Sequence, residues 1–167
     1  MALSEAQKQF IKDASAAAKV SQKATGVPAS IIIAQAVLES GWGKSHMGSA
    51  NNYFGIKAHM KNGKVDFGNI ATGFVEKSTK EFDKKGNAFF VIARFRAYKN
   101  MADSFTDHGS FLKNGPRYQK AMMTYAEDKD ASEFARGLQK AGYATDPEYA
   151  KKLISIMTKN DLLKLNT

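Results

Sequence analysis

Glu39 is the residue whose setting most invites a chemical reading. Ile32, Ala36 and Glu39 fall at i, i+4 and i+7 of a segment, residues 29–40, in which Ile31, Ile32, Ile33, Ala34, Ala36, Val37 and Leu38 are apolar on nearly every side. That pattern predicts a central core helix, with Glu39 prolonging one of its stripes in the last turn. Burial and the negative end of the helix dipole there both raise a carboxyl pKa, which suits a general acid near neutral pH. The plainer alternative is a carboxylate that fans into solvent or pairs with Lys44. Glu81 and Asp83 flank a predicted hairpin turn, and Glu76 lies further down the same strand. A carboxylate carried on a hairpin over a helix end would create a cleft between a rigid acid and a movable partner. Two carboxylates across a cleft are the chemistry of glycoside hydrolysis: one protonates the leaving oxygen, the other acts as base, nucleophile or charge stabiliser. Hairpin tips are also ordinarily charged and solvated, so a plain surface role for Glu81 stands beside this one.

The aromatics point the same way. Trp42, Tyr53, Phe54, Tyr143 and Tyr149 lie near Gly, Asn or predicted helix ends. Flat rings beside amides (Asn51, Asn52) suit a sugar polymer, the ring facing a pyranose and the amides its hydroxyl and acetamido groups. Tyr149 fits a core stripe equally well, and Phe54 reads as core. His46, His59 and His108 are isolated, without HExxH or carboxylate–histidine spacing, and read as ordinary surface or core histidines. With no Cys in the chain, no thiolate site, disulfide or Cys nucleophile exists. Phosphate-binding, dinucleotide and G-x-S-x-G patterns are missing too, so the chemistry expected needs neither metal nor cofactor.

The elements that must position these residues follow from local signals. Ser4 with Gln7 is a capping-box pattern opening an amphipathic helix to about residue 24, with Phe10, Ile11, Ala14, Ala17 and Ala18 as its stripe. Gly26-Val27-Pro28 stops it, and Gly41 and Gly43 end the isoleucine-rich helix. Residues 48–73 read as loop with a short strand. Residues 73–82 and 88–98 read as a hairpin around Asp83-Lys84-Lys85-Gly86-Asn87, with Phe89, Val91, Ala93 and Phe95 on one face and Phe90, Ile92, Arg94 and Arg96 on the other. Helices are expected at 101–112, from Pro116 through Met123, from Asp130 to Gly142, and after Asp146-Pro147 with Tyr149, Leu153, Ile156 and Met157 as a stripe. The expected fold is α+β: one domain over 1–167, a dominant helical lobe and a small β-lobe at about 64–98.

Composition sets the outer limits. At 167 residues, 43% hydrophobic and 25% charged, the chain is neither disordered nor a repeat array. No window has the ~18 unbroken apolar residues of a membrane span. The net charge of +9 favours a polyanionic partner: nucleic acid, an anionic membrane surface or an acidic cell-wall polymer. Arg94, Arg96, Arg117 and Arg136 are the only arginines, too few for a reader of bases or phosphates, so no nucleic-acid partner is expected. The amino terminus lacks the basic and apolar regions of a secretory leader, so export is expected to depend on something else.

A resemblance joins these features. Ala34-Gln35-Ala36-Val37-Leu38-Glu39-Ser40-Gly41-Trp42-Gly43 and Asn51-Asn52-Tyr53-Phe54-Gly55-Ile56-Lys57-Ala58 resemble the signature of the family 73 glycoside hydrolases, bacterial N-acetylglucosaminidases of peptidoglycan. Phe95-Arg96-Ala97-Tyr98, Pro116-Arg117-Tyr118 and the run from Leu138 through Gly142-Tyr143-Ala144-Thr145-Asp146-Pro147 to Ala150 follow in order. The resemblance implies a lysozyme-like fold, with a helical lobe and a β-hairpin lobe over the cleft. It implies Glu39 as catalytic acid and, through Thr79-Lys80-Glu81-Phe82, Glu81 as second carboxylate, with Glu76 in reserve because of one extra residue before Phe95. It implies Tyr143 as the tyrosine that binds or orients the acetamido sugar; by residue type, Trp42, Asn52 and Tyr53 are expected to hold glycan as well. The expected reaction is cleavage of the N-acetylglucosamine–N-acetylmuramic acid β-1,4 bond within glycan strands by a monomer acting in the periplasm or wall. A muramidase or lytic transglycosylase on the same fold is the alternative enzyme, and an idle wall-binding module the alternative of another class. A phage lysis enzyme or an effector injected into rival cells suits the chain, the latter implying a small immunity protein in the cleft.

Overall fold

The computed structural model describes residues 2–167. Its first helix, α1 (Glu5–Thr25), opens with the predicted capping box: Gln7 N–H donates to Ser4 Oγ at 3.1 Å, and Ser4 N–H donates to Gln7 Oε1 at 3.0 Å. Gly26, at φ 81°, ends it in the left-handed conformation that an L side chain disfavours. Phe10, Ala14, Ala17 and Ala18 form the buried stripe, with Ile11 half-buried at its margin.

The second helix, α2 (Ala29–Ser40), is the axle of the molecule. Every residue from Ala29 to Val37 is buried, and Ile31, Ile32 and Ile33 have no exposed surface. Each isoleucine contributes about 2 kcal/mol of apolar burial before ordering entropy is charged against it. The surrounding helices are α3 (Met101–Asn114), α4 (Gln119–Asp128), α5 (Ala131–Lys140) and α6 (Tyr149–Lys159), with a 3₁₀ turn at Pro116–Tyr118 leading into α4. Small residues let α1 and α3 approach closely: a Cβ at Gly109 would lie 2.7 Å from Thr25 Oγ1, while Ser21 Oγ donates to the Phe105 carbonyl at 3.0 Å. Asp130 caps α5 by accepting from the N–H groups of Ser132 and Glu133. The α4 helix runs past the expected Met123, because no breaker intervenes before Lys129 turns left-handed at φ 55°.

The β-lobe is two antiparallel pairs. Strands β1 (His59–Lys61) and β2 (Lys64–Asp66) enclose Asn62-Gly63, both at positive φ as a two-residue hairpin turn requires. The single short strand expected in this region is therefore a small hairpin, and the Asn-Gly pair is its signal. Strands β3 (Gly73–Phe82) and β4 (Ala88–Ala97) pair from Gly73↔Ala97 to Phe82↔Ala88, in the expected hairpin. Asp83 organises the turn, its carboxylate accepting from the N–H groups of Lys85 and Asn87 at 2.8 Å each. Among the described residues, the ribbon's hydrogen bonds to the rest of the molecule lie near its base. Arg96 Nη1 donates to Asp107 of α3 at 2.9 Å, and the Tyr98 hydroxyl donates to the same carboxylate oxygen at 2.5 Å. Backbone bonds from Ala58 to the Arg94 carbonyl and from Arg96 to the Ile56 carbonyl, both 3.0 Å, add a third strand-like edge there. Among the described residues no helix is long and apolar enough to cross a membrane.

Candidate active site

Glu39 stands one residue before the end of α2, where the buried run has stopped. Leu38 and Glu39 are exposed and Ser40 is buried again, its hydroxyl donating back to the Ala36 carbonyl. The expectation of a buried Glu39 is thus corrected: the stripe through Ile32 and Ala36 meets solvent at Glu39, one residue before the helix ends at Gly41. The carboxyl is nonetheless partly desolvated, and this partial burial raises its pKa above the ordinary carboxylate value. Its charge is felt by Tyr143 and Tyr149, in both of which it disfavours ionisation, which puts both phenols on the Glu39 side of the helical body. A partly desolvated acid that is still exposed can hold a proton and meet a large polymer.

This side is built from the start of α6 and the loop before it. Gly142, at φ 83°, turns the chain so that the Tyr143 ring stacks on Tyr149, centroids 5.3 Å apart and planes 26° from parallel. Tyr149 is buried and Tyr143 half-buried. Burial is the main reason both phenols resist ionisation. Beneath them Gln35 Nε2 donates to the Tyr149 hydroxyl at 3.1 Å, and the Tyr143 hydroxyl lies 3.4 Å from His108 Nε2. Residue-type reasoning set His108 aside as ordinary and passed over Gln35, although one amide inside a run of buried isoleucines and alanines was a visible signal.

The other candidates are placed differently. Asn52 has no exposed surface. Its amide donates to the carbonyls of Ile56 and Arg96, both at 2.9 Å, while its oxygen accepts from the N–H of Ile56 at 3.1 Å and Phe54 at 3.4 Å. It holds the 52–56 loop to the ribbon base and has no group left for a glycan. Tyr53 is buried between Phe10 and Phe105, with His46 stacked on it at 5.4 Å. Trp42 is half-buried, edge-on to Phe10, and lines a hollow with Leu3, Ile11 and Ile156. It adopts φ 62° between Gly41 at 58° and Gly43 at 85°, a tight left-handed reversal directly after α2. Gly43 is required there, since a Cβ would lie 2.5 Å from the Phe10 ring.

On the ribbon, Glu81 lies opposite Phe89 and shares a face with Thr79 and Val91, while Glu76 lies opposite Arg94 on the other face. The two glutamates therefore cannot serve interchangeably: one faces a given side, the other its reverse. Glu81 is exposed, its nearest polar neighbour the Thr79 hydroxyl at 3.5 Å. No group of three or more His, Cys, Asp or Glu that could hold a metal occurs among the described residues.

A helical body wrapped on one buried helix, with a β-ribbon rooted beside that helix's end, is the architecture of the lysozyme-like glycoside hydrolases. Within that class the chain belongs to the glucosaminidase family: the family described as mannosyl-glycoprotein endo-beta-N-acetylglucosaminidase matches residues 15–162. The chain is 37% identical over 154 residues to peptidoglycan hydrolase FlgJ of Vibrio parahaemolyticus, covering 90% of this chain and 46% of that protein. It is 36% identical over 158 residues to exo-glucosaminidase LytG of Bacillus subtilis, covering 93% of this chain and 52% of that protein. The glycoside hydrolase domain of Salmonella typhimurium FlgJ superposes with a TM-score of 0.72 at 36% identity, over 93% of this chain and 98% of that one. The chain thus spans about half the length of the curated relatives it matches. It is a glycoside hydrolase of this family, as the ordered sequence blocks imply.

Proposed function

We propose that this chain cleaves the β-1,4 bond between N-acetylglucosamine and N-acetylmuramic acid within peptidoglycan strands. The observation that carries the reading is Glu39 at the exposed end of the otherwise buried α2, its pKa raised by partial burial. Glu39 hands its proton to the glycosidic oxygen, and Glu81, delivered by the ribbon, stabilises the oxocarbenium-like state or activates water. Tyr143 orients the acetamido sugar. The +9 charge draws the protein to an anionic wall, which fits action in the periplasm or cell wall. The glycan strand is the partner expected, met by a monomer.

Digestion of purified peptidoglycan followed by mass spectrometry tests this. New reducing ends on N-acetylglucosamine, with a rapid fall in strand length, are expected. Reducing ends on muramic acid, anhydro-muramic ends, or no cleavage would overturn the assignment in favour of a muramidase, a lytic transglycosylase or an idle wall-binding module, respectively. The likeness to a relative named an exo-glucosaminidase favours one second reading, attack from strand ends; it predicts free sugar released while strand length falls slowly.

A further inference from the structure

A basic groove lies between α4 and α5, beside the turn that carries Tyr143. Its floor is made of small residues, Ala121 on α4 with Gly137 and Ala141 on α5. A Cβ on Gly137 would lie 2.9 Å from the Ala121 Cβ, so the two helices approach closely and leave the hollow above them unfilled. The rims are cationic. Lys120, with Arg117 in the turn before α4, stands on one side, and Arg136 and Lys140 stand on the other. On α5 the helical spacing of Arg136, Gly137, Lys140 and Ala141 turns one small, cationic face to the groove. The hollow holds about 370 Å³. Glu133, the acid on its border, is paired with Arg136. Among the described residues, Arg117, Lys120 and Lys140 make no ion pair.

Like charges gathered round one hollow favour an anion in it. The groove is also fastened to the turn before Tyr143. Arg117 Nη1 donates to the Gly142 carbonyl at 3.4 Å. The Arg117 guanidinium lies 6.0 Å from the centre of the Tyr118 ring, which is 6.1 Å from that of Tyr143. A guanidinium has five N–H donors, so this bond leaves Arg117 others to offer a carboxylate. Lys140 precedes Tyr143 by three residues, which keeps their Cα atoms within about 11 Å.

We propose that this groove binds the carboxylates of the peptides that peptidoglycan carries on its muramic acid, making peptide-bearing strands the preferred substrate. The inference rests on peptidoglycan being the substrate and on Tyr143 orienting its acetamido sugar. The muramic acid next to that sugar bears the peptide, and three extended residues span about 10 Å, enough to bring a carboxylate to the groove. This nearness to Tyr143 favours the peptide over a phosphate polymer, which needs no link to the glycan site.

Two substrates and two double variants test this. The parent is expected to cleave peptide-bearing strands with a kcat/KM about tenfold above that for strands stripped of peptide by an amidase. Lys120→Gln with Lys140→Gln should bring that ratio to within about twofold of unity. Lys12→Gln with Lys19→Gln removes the same charge from exposed positions on α1 and should keep the parent's ratio. A parent without preference, a groove variant that keeps it, or an α1 variant that loses it equally would overturn the proposal. NMR titration of the unmodified protein with a free stem tripeptide reads binding without cleavage: the amides of Ala121, Gly137 and Ala141 are expected to shift. Shifts there with polyphosphate and none with the tripeptide would also overturn it. If the tripeptide shifts these amides but peptidoglycan is not cleaved, the proposed reaction fails and the groove's assignment stands.

Discussion

The two candidate carboxylates live in opposite surroundings. Glu39 closes a helix whose residues Ala29 to Val37 are all buried, whereas Glu81 rides a ribbon on which every residue from 81 to 92 is exposed. The helix gives Glu39 a fixed position and a desolvated flank, which a proton donor needs. The ribbon gives Glu81 reach and water, which suits a group that meets its target only when substrate is present. Burial and exposure are thus divided between the lobes, with the Arg96–Asp107–Tyr98 contact joining them.

The sharpest way to break this contrast is Glu39→Gln, expected to lower kcat by about 10³-fold, measured as reducing ends released from peptidoglycan. Its fold should be intact. Because the folded pKa of Glu39 is raised, the ionised carboxyl opposes folding above its ordinary value of 4.5, so the variant's Tm should equal or exceed the parent's at pH 7 and the gain should vanish in acid. At the joint, Asp107→Ala strands Arg96 and Tyr98 and should cost about 3 kcal/mol in urea unfolding. His108 supplies the pH test: with its folded pKa depressed to about 3, stability is full above its ordinary 6.5 and falls as pH drops toward 3. His108→Gln should flatten that acid slope in thermal melts from pH 7 to 4. Glu81→Gln, exposed and screened, should lower the rate only about tenfold. Smallest of all, Phe90→Ser at the ribbon tip, where Phe90 is 69% exposed, should change stability by less than about 0.5 kcal/mol.

What the residues disclosed in advance was local in origin. The capping box at Ser4, the all-round apolar segment that became α2 and the five-residue turn at Asp83 each carry their cause within a few neighbours. What stayed hidden depends on partners far away in the chain. Asn52 looked like a glycan donor because its type fits one, yet Arg96, 44 residues on, takes its amide. Gln35 and His108 are 73 residues apart, and no periodicity links them. Trp42 and Tyr53 read as sugar platforms, and only packing against Phe10 reveals how much of each ring is spent on the core.

The ribbon's single root makes it a lever. Phe89, facing Glu81, lies seven residues beyond Arg96, a span of about 23 Å at ~3.3 Å per residue. A swing of about 10° at that root displaces the far end by roughly 4 Å over such a strand length, comparable to the difference between retaining and inverting carboxylate spacings. If Glu81 is the second carboxylate, the arm's angle sets its distance from Glu39, and a crosslink across the joint would fix that distance.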